Sequence, residues 1–220
     1  MTTTPQHVPV LVAEVISKLS IRPDHWYIDA TVGAGGHSEA ILNQGGNFLG
    51  IDQDPEIIKH TKKRLASYGD RLITLQGNYS QIESLAKSVG IDQVYGILFD
   101  YGVSSYQLDT PHRGFSFNYD APLDMRMNPE DTTTAAEIVN NSSEADLYRI
   151  IMHNSQENQA REIAKAIVKS RQDQQILSTK QLAEIIENVS RSNQRSKIHP
   201  ATKTFQAIRM EVNREINHIK

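Results

Sequence analysis

Over the first hundred residues, short unbroken apolar runs alternate with segments whose apolar positions recur every three or four residues. The short runs centre on Tyr27-Ile28, Asn47-Phe48-Leu49-Gly50-Ile51, Leu72 to Leu75 and Val94-Tyr95-Gly96-Ile97-Leu98-Phe99. Runs of this length read as strands buried on both faces, and the three-to-four spacing reads as amphipathic helix. The first run passes through Asp29-Ala30-Thr31 into Gly33-Ala34-Gly35-Gly36-His37, which predicts a strand, a glycine-rich turn and a helix. Ile57, Ile58, Thr61 and Leu65 predict a helix from Pro55 through Ser67, with Asp54 as its cap and Pro55 in its first turn. A short helix around Ile82 to Ser88 follows the third strand. Strands alternating with helices predict an α/β fold with a parallel sheet, whose ligands lie at the carboxyl ends of the strands.

From about Ser104 to Ile198 the strand signals stop. Helical spacing takes over at Ala135 to Val139, Glu144 to His153, Ala160 to Ser170 and Thr179 to Val189. This predicts a Rossmann-like core over 1–104, a helical insertion over 105–198 and a helix over 199–220 that returns to the core.

Candidate chemistry gathers where the strands end. The glycine turn suits close approach of a ligand, but the third glycine of a dinucleotide fingerprint is missing and no Lys or Arg lies between Tyr27 and Leu42 to meet a phosphate. A nucleoside without phosphates, such as the adenosine of S-adenosylmethionine (SAM), fits this turn better than a diphosphate. Asp52 lies at the spacing of a ribose-binding acid, Tyr79 is placed to lie against an adenine, and Asp100 follows an apolar strand where burial without a partner would be costly. Each has a plainer reading: a tight connection for the glycines, a helix cap for Asp52, a partly buried aromatic for Tyr79 and an exposed first-turn residue for His37.

The block Asp100-Tyr101-Gly102-Val103-Ser104-Ser105-Tyr106-Gln107-Leu108-Asp109, with Arg113-Gly114-Phe115-Ser116-Phe117 and Pro122-Leu123-Asp124-Met125-Arg126-Met127, closely resembles the bacterial RsmH (MraW) family. The resemblance extends to His7-Val8-Pro9-Val10-Leu11, Gly35-Gly36-His37, His199-Pro200-Ala201-Thr202 and Phe205-Gln206-Ala207-Ile208-Arg209. It implies a SAM-dependent enzyme that methylates the exocyclic N4 of a cytidine in the decoding centre of small-subunit (16S) ribosomal RNA, within an assembled small subunit. It also implies cofactor contacts at Gly35, Gly36, His37, Asp52, Tyr79, Asp100 and Gln107. Tyr101, Tyr106 and Tyr79 stand where the family commonly has Leu, Pro and Phe, respectively. The family normally continues past this chain's last helix into further strands. The sequence therefore predicts that Val94 to Phe99 forms an exposed apolar edge, either because the chain is a fragment or because a partner, such as a second copy in a homodimer, covers it.

Composition narrows the chemistry. No cysteine is present, which excludes thiolate metal sites and the covalent cysteine adduct that pyrimidine C5 methylation generally needs, so a nucleobase methyltransferase of this composition acts on nitrogen or oxygen. No metal site is expected. A transmembrane run and the parts of a signal peptide are absent, which suggests a cytoplasmic protein without a membrane partner. Charge is unevenly placed: residues 161–214 hold eleven Lys or Arg against five Asp or Glu, inside a chain of net charge −3. Arg161, Lys165, Lys169, Arg171, Arg191, Arg195, Lys197 and Lys203 are candidate contacts to an RNA backbone, against the simpler reading of a solvated helical face. Arg113 to Met127 is a candidate active-site flap whose Phe115, Phe117 and Tyr119 offer stacking faces, against a plain packing role. Asp100, or a nearby carbonyl of the Asp100 to Val103 turn, is the candidate acceptor for the amino hydrogens of the target base. A non-catalytic SAM- or RNA-binding fragment and, further off, a nucleotide-dependent oxidoreductase are the alternative readings.

Overall fold

The computed structural model describes residues 11–190 and 198–219; the segments His7–Val10 and Arg191–Lys197 of the sequence reading lie outside them. The chain forms two compact units, residues 1–106 and 107–220. The expected separate segment 199–220 is therefore not a unit of its own, because its helix packs among the other helices of the second unit.

In the first unit, helix α1 (Val12–Leu19) precedes strand β1 (Trp26–Asp29), and α2 (Gly36–Asn43), β2 (Asn47–Asp52), α3 (Pro55–Arg64), β3 (Leu72–Gln76), α4 (Ile82–Ser88) and β4 (Gly96–Leu98) follow. All pairings are parallel and the strand order is β3-β2-β1-β4. Successive residues of a strand face opposite sides, and each side has its own core. Tyr27 and Phe48 pack with Ile41, Leu42, Ile57 and Leu65 on one face, whereas Ile28, Leu49 and Ile51 pack with Ala86 and Ile91 on the other, where Trp26 adjoins them.

Local chemistry explains most boundaries. The Asp54 carboxylate accepts the Glu56 N–H at 3.0 Å and Pro55 occupies the first turn, so α3 starts where the sequence predicts. It stops at Arg64 rather than continuing to Ser67, because the chain past the fully buried Leu65 tightens into a 3-10 turn (Ala66–Arg71) that Gly69, at φ 58°, redirects into β3. The fourth strand is also shorter than Val94 to Phe99. It pairs with β1 alone, and Tyr95, Ile97 and Phe99 are exposed along one of its faces, as the sequence predicts for this edge.

The second unit is helical: α5 (Ser105–Leu108, which straddles the division), α6 (Ala135–Asn141), α7 (Glu144–Ser155), α8 (Ala160–Asp173), α9 (Thr179–Ser190), α10 (Ala201–Val212) and α11 (Glu215–His218). Leu147 and Ile151 of α7, Ile163 and Ile167 of α8, Leu182 and Ile186 of α9, and Phe205 and Ile208 of α10 are buried, which is the three-to-four spacing turned into a core. A capping box between Thr134 and Glu137 starts α6, and Ser143 caps α7. The helix expected over 199–220 is broken in two at Arg214, whose φ of 49° no continuous helix accommodates.

The segment 113–127 threads through this unit by backbone hydrogen bonds. The Arg113 guanidinium donates to the carbonyls of Arg126 and Met127, and the Asn213 side chain accepts the Met127 N–H at 2.7 Å and donates to the Met125 carbonyl at 2.8 Å. Phe115 is buried, and Phe117 stacks on His199 and meets Phe205 edge-on, so these two rings serve packing, while Tyr119 is exposed. Gly114 makes the tight turn possible at φ 72°, and a Cβ there would lie 2.3 Å from the Pro122 carbonyl oxygen. Replacement Gly114→Ala is expected to destabilise the chain by at least about 2 kcal/mol, read from the denaturation midpoint, because strain and clash combine.

Candidate active site at the carboxyl ends of the strands

The turn after β1 is held by side chains. As the chain leaves β1, the Val32 N–H still reaches the Ile51 carbonyl at 3.0 Å, and the Gly33 N–H then donates to Asp52 Oδ2 at 3.1 Å. Thr61 of α3 donates its hydroxyl to the Gly33 carbonyl at 2.7 Å. Arg64, also of α3, donates to the Ala34 carbonyl and pairs with Glu39 of α2. Gly35 then adopts φ 79° to open α2, and a Cβ on it would stand 2.9 Å from the Thr61 methyl carbon. Glycine is required there on both counts.

Asp52 closes β2 and joins three neighbours. Its carboxylate accepts the N–H groups of Gly33 and Asp54, and its own carbonyl accepts the Gly77 N–H at 2.9 Å where β3 ends. It is thus no helix cap, a role Asp54 holds. Two residues on, Tyr79 is buried and meets Phe99 and Tyr101 edge-on, with ring centroids 6.3 and 5.2 Å away; Phe99 and Tyr101 stack on each other at 5.5 Å and are exposed. Both lie beside the end of β4.

Asp100 differs from the sequence expectation. It is exposed rather than buried, because no element of its unit covers the chain after β4. An acid that is buried at a strand end is Asp29, which closes β1 and which the sequence reading passed over although it too follows an apolar run. Its Oδ1 accepts both the N–H of Thr31 at 3.0 Å and the Thr31 hydroxyl at 3.3 Å. The same hydroxyl accepts the Asp100 N–H at 2.7 Å, linking the ends of β1 and β4.

Burial pushes the Asp29 carboxyl up to about 7, against the lowering effect of its two bonds from Thr31 and with a further rise from Asp100. Burial likewise raises Asp52 to about 7, against the lowering effect of the Asp54 and Gly33 N–H groups and with repulsion from Asp54 and Asp29 added. Carboxyl groups therefore crowd the strand ends, and burial more than their mutual repulsion raises two of them. The cation of this turn, Arg64, is committed to the Ala34 carbonyl and to Glu39.

A sequence profile of the MraW methylase family matches residues 4–220. The chain belongs to the MraW methylase family. Proteins named ribosomal RNA small subunit methyltransferase H are similar to it throughout. That of Carboxydothermus hydrogenoformans is 46% identical over 215 residues, covering 97% of this chain and 69% of the relative. Those of Fusobacterium nucleatum and Geobacter sulfurreducens are 46% and 45% identical, covering 96% and 97% of this chain and 67% and 70% of the relatives. The α/β fold with a parallel four-stranded sheet is the Rossmann-like fold expected of such methylases.

Of the positions singled out in the sequence, six lie in the first unit: Gly35 on the turn after β1, Gly36 and His37 at the start of α2, Asp52 as the last residue of β2, and Tyr79 and Asp100 just past the ends of β3 and β4. Gln107 falls in the second unit, buried on α5. Asp29, Thr31, Thr61 and Arg64 were missed. Only Asp29 carried a signal, an acid closing a buried strand; the others are recruited by tertiary contacts that no local spacing encodes.

The two raised acids have a consequence for stability. An acid whose folded pKa lies above its unfolded value costs stability as pH rises from about 4 to about 7, since the unfolded chain ionises first. For Asp29 the loss between pH 5 and pH 8 is expected to be about 2–3 kcal/mol. Asp29→Asn keeps an oxygen for the Thr31 bonds but cannot ionise. Denaturation of this variant should depend on pH over that window less steeply than wild type by this amount.

Proposed function

We propose that this chain uses SAM to methylate the exocyclic N4 of a cytidine in the decoding centre of small-subunit ribosomal RNA, acting on the assembled subunit in the cytoplasm. Membership of a methylase family supports the reaction class. The observation that carries the cofactor is the crowd of carboxyl groups at the strand ends beside a glycine turn whose one arginine is already engaged. SAM bears a positive sulfonium and a positive ammonium and no phosphate; a cation beside Asp29 and Asp52 favours the ionised form that burial disfavours, whereas a dinucleotide would bring two negative charges to the same place and disfavour it further. This argues against the oxidoreductase reading.

Within this reading Asp52 accepts ribose hydroxyls with the lone pairs left by Gly33 and Asp54, Tyr79 lies against the adenine, and Gly35, Gly36 and His37 line the turn. SAM supplies an electrophilic methyl group. An amine conjugated into cytosine is a weak nucleophile, and a carboxylate that accepts its hydrogens frees the lone pair for in-line attack, so positioning carries most of the acceleration. Asp100, exposed at the end of β4, is assigned that acceptor role. The helical unit is assigned to RNA: Arg161, Lys165 and Lys169 stand four residues apart on the exposed side of α8, opposite buried Ile163, Ala164 and Ile167. Arg171 leaves the proposed track, because its guanidinium is bound to the carbonyls of Val139 and Ser142 at the end of α6.

Calorimetric titration is expected to give micromolar SAM binding, of order −8 kcal/mol, and none with NAD. Binding of NAD instead of SAM would refute the cofactor assignment. Asp100→Ala should lose turnover on small subunits while retaining SAM binding; unchanged turnover would remove Asp100 from the mechanism. Neutralising Arg161, Lys165 and Lys169 together should weaken RNA binding and lower the slope of log affinity against log salt by roughly 2–3. An unchanged slope would move the RNA contact elsewhere.

A further inference from the structure

The way β1 and β4 end assigns a role to a residue that has none in the reading above. Between these strands the parallel ladder runs regularly as far as the Ala30 N–H, which donates to the Leu98 carbonyl at 2.9 Å. Regular continuation would have the Asp100 N–H donate to the carbonyl of residue 30. It donates instead to Thr31 Oγ1 at 2.7 Å, so a side chain replaces the next rung of the sheet. Among the described residues this is the hydrogen bond that Asp100 makes, on an exposed residue at the start of a stretch without regular structure.

The direction of the link is fixed by its chemistry. An amide N–H only donates, so the Thr31 oxygen accepts from Asp100 and its single proton turns to Asp29 Oδ1, an acceptor already oriented by the Thr31 N–H. A threonine is also stiff at its first side-chain torsion, which makes it a better strut than a longer polar residue. Asp29 is buried in β1, one of the two strands with a neighbour on each side. The chain of bonds thus runs from an internal strand to Asp100, which makes no other hydrogen bond among the described residues.

We propose that Thr31 is a positioning residue: its hydroxyl, aimed by Asp29, holds the backbone of Asp100 and so sets where the Asp100 carboxylate stands at the end of β4. This rests on the reading of Asp100 as acceptor for the target amine. Displacing a reacting group by about 1 Å costs up to about a hundredfold in rate, so the strut acts on turnover rather than on cofactor affinity.

The test compares Thr31→Val, which keeps the shape and removes the hydroxyl, with Thr31→Ser, which keeps the hydroxyl. Amide hydrogen exchange of Asp100, followed by NMR on the full chain, reads the strut directly and needs no activity. Protection is expected in wild type and Thr31→Ser and lost in Thr31→Val; equal protection in all three overturns the proposal. On small subunits with SAM, Thr31→Val is expected to lower kcat by about tenfold or more with the SAM Kd changed less than about threefold, and Thr31→Ser to restore most of it. A loss that appears in Kd alone, or that Thr31→Ser shares in full, also overturns it. Absence of turnover in wild type would count against the methyltransferase reading, and the exchange result would still decide whether Thr31 holds Asp100.

Discussion

A backbone amide buried in a sheet must keep a partner when the ladder stops, and the site of this protein is built from the ways its strands meet that demand. Parallel strands end together at one edge, so four sets of orphaned N–H groups arise side by side. Here two are met by carboxylates and one by a hydroxyl: Asp52 takes Gly33, Asp29 takes Thr31, and Thr31 takes Asp100. Burial lifts both Asp29 and Asp52 against the lowering effect of the very bonds they accept, so the acids that finish the sheet hold their protons up to near neutral pH.

In the sheet unit Arg64 is turned onto the Ala34 carbonyl of the glycine turn, and acids remain at the strand ends. The helical unit spends Arg113 and Arg171 on backbone carbonyls, where they hold an extended segment and a helix end, and leaves Lys165 and Lys169 exposed, with Arg161 exposed over the Tyr148 ring. Net charge thus says little about what either unit can hold, since the arginines that look most available in sequence include those most firmly built in.

Periodicity made the alternation of strands and helices legible, and the start of α3 could be read to the residue because Asp54 and Pro55 act within one turn. What failed to show in the sequence was set at longer range. The break at Arg214 depends on a left-handed backbone that no local pattern announces. Exposure of Asp100 follows from what fails to cover β4 rather than from the apolar residues before it. Phe117 was read both as a stacking face and as a packing residue, and only its contact with His199 and Phe205, some ninety residues on, decides between them. Within the site, residues whose ligand role depends on strand position, such as Asp52, were found from spacing, whereas Thr61 and Arg64 reach the turn from a different helix and left no trace in it.

The single tryptophan of this chain, Trp26, sits in β1 against the core of the sheet unit, and the helical unit has none. Indole emission therefore reports the melting of the sheet unit alone, while far-ultraviolet circular dichroism is weighted towards the six helices from α6 to α11. Superimposable curves would mean that the two units unfold as one cooperative body, and separated curves would give each its own midpoint from a single unlabelled sample.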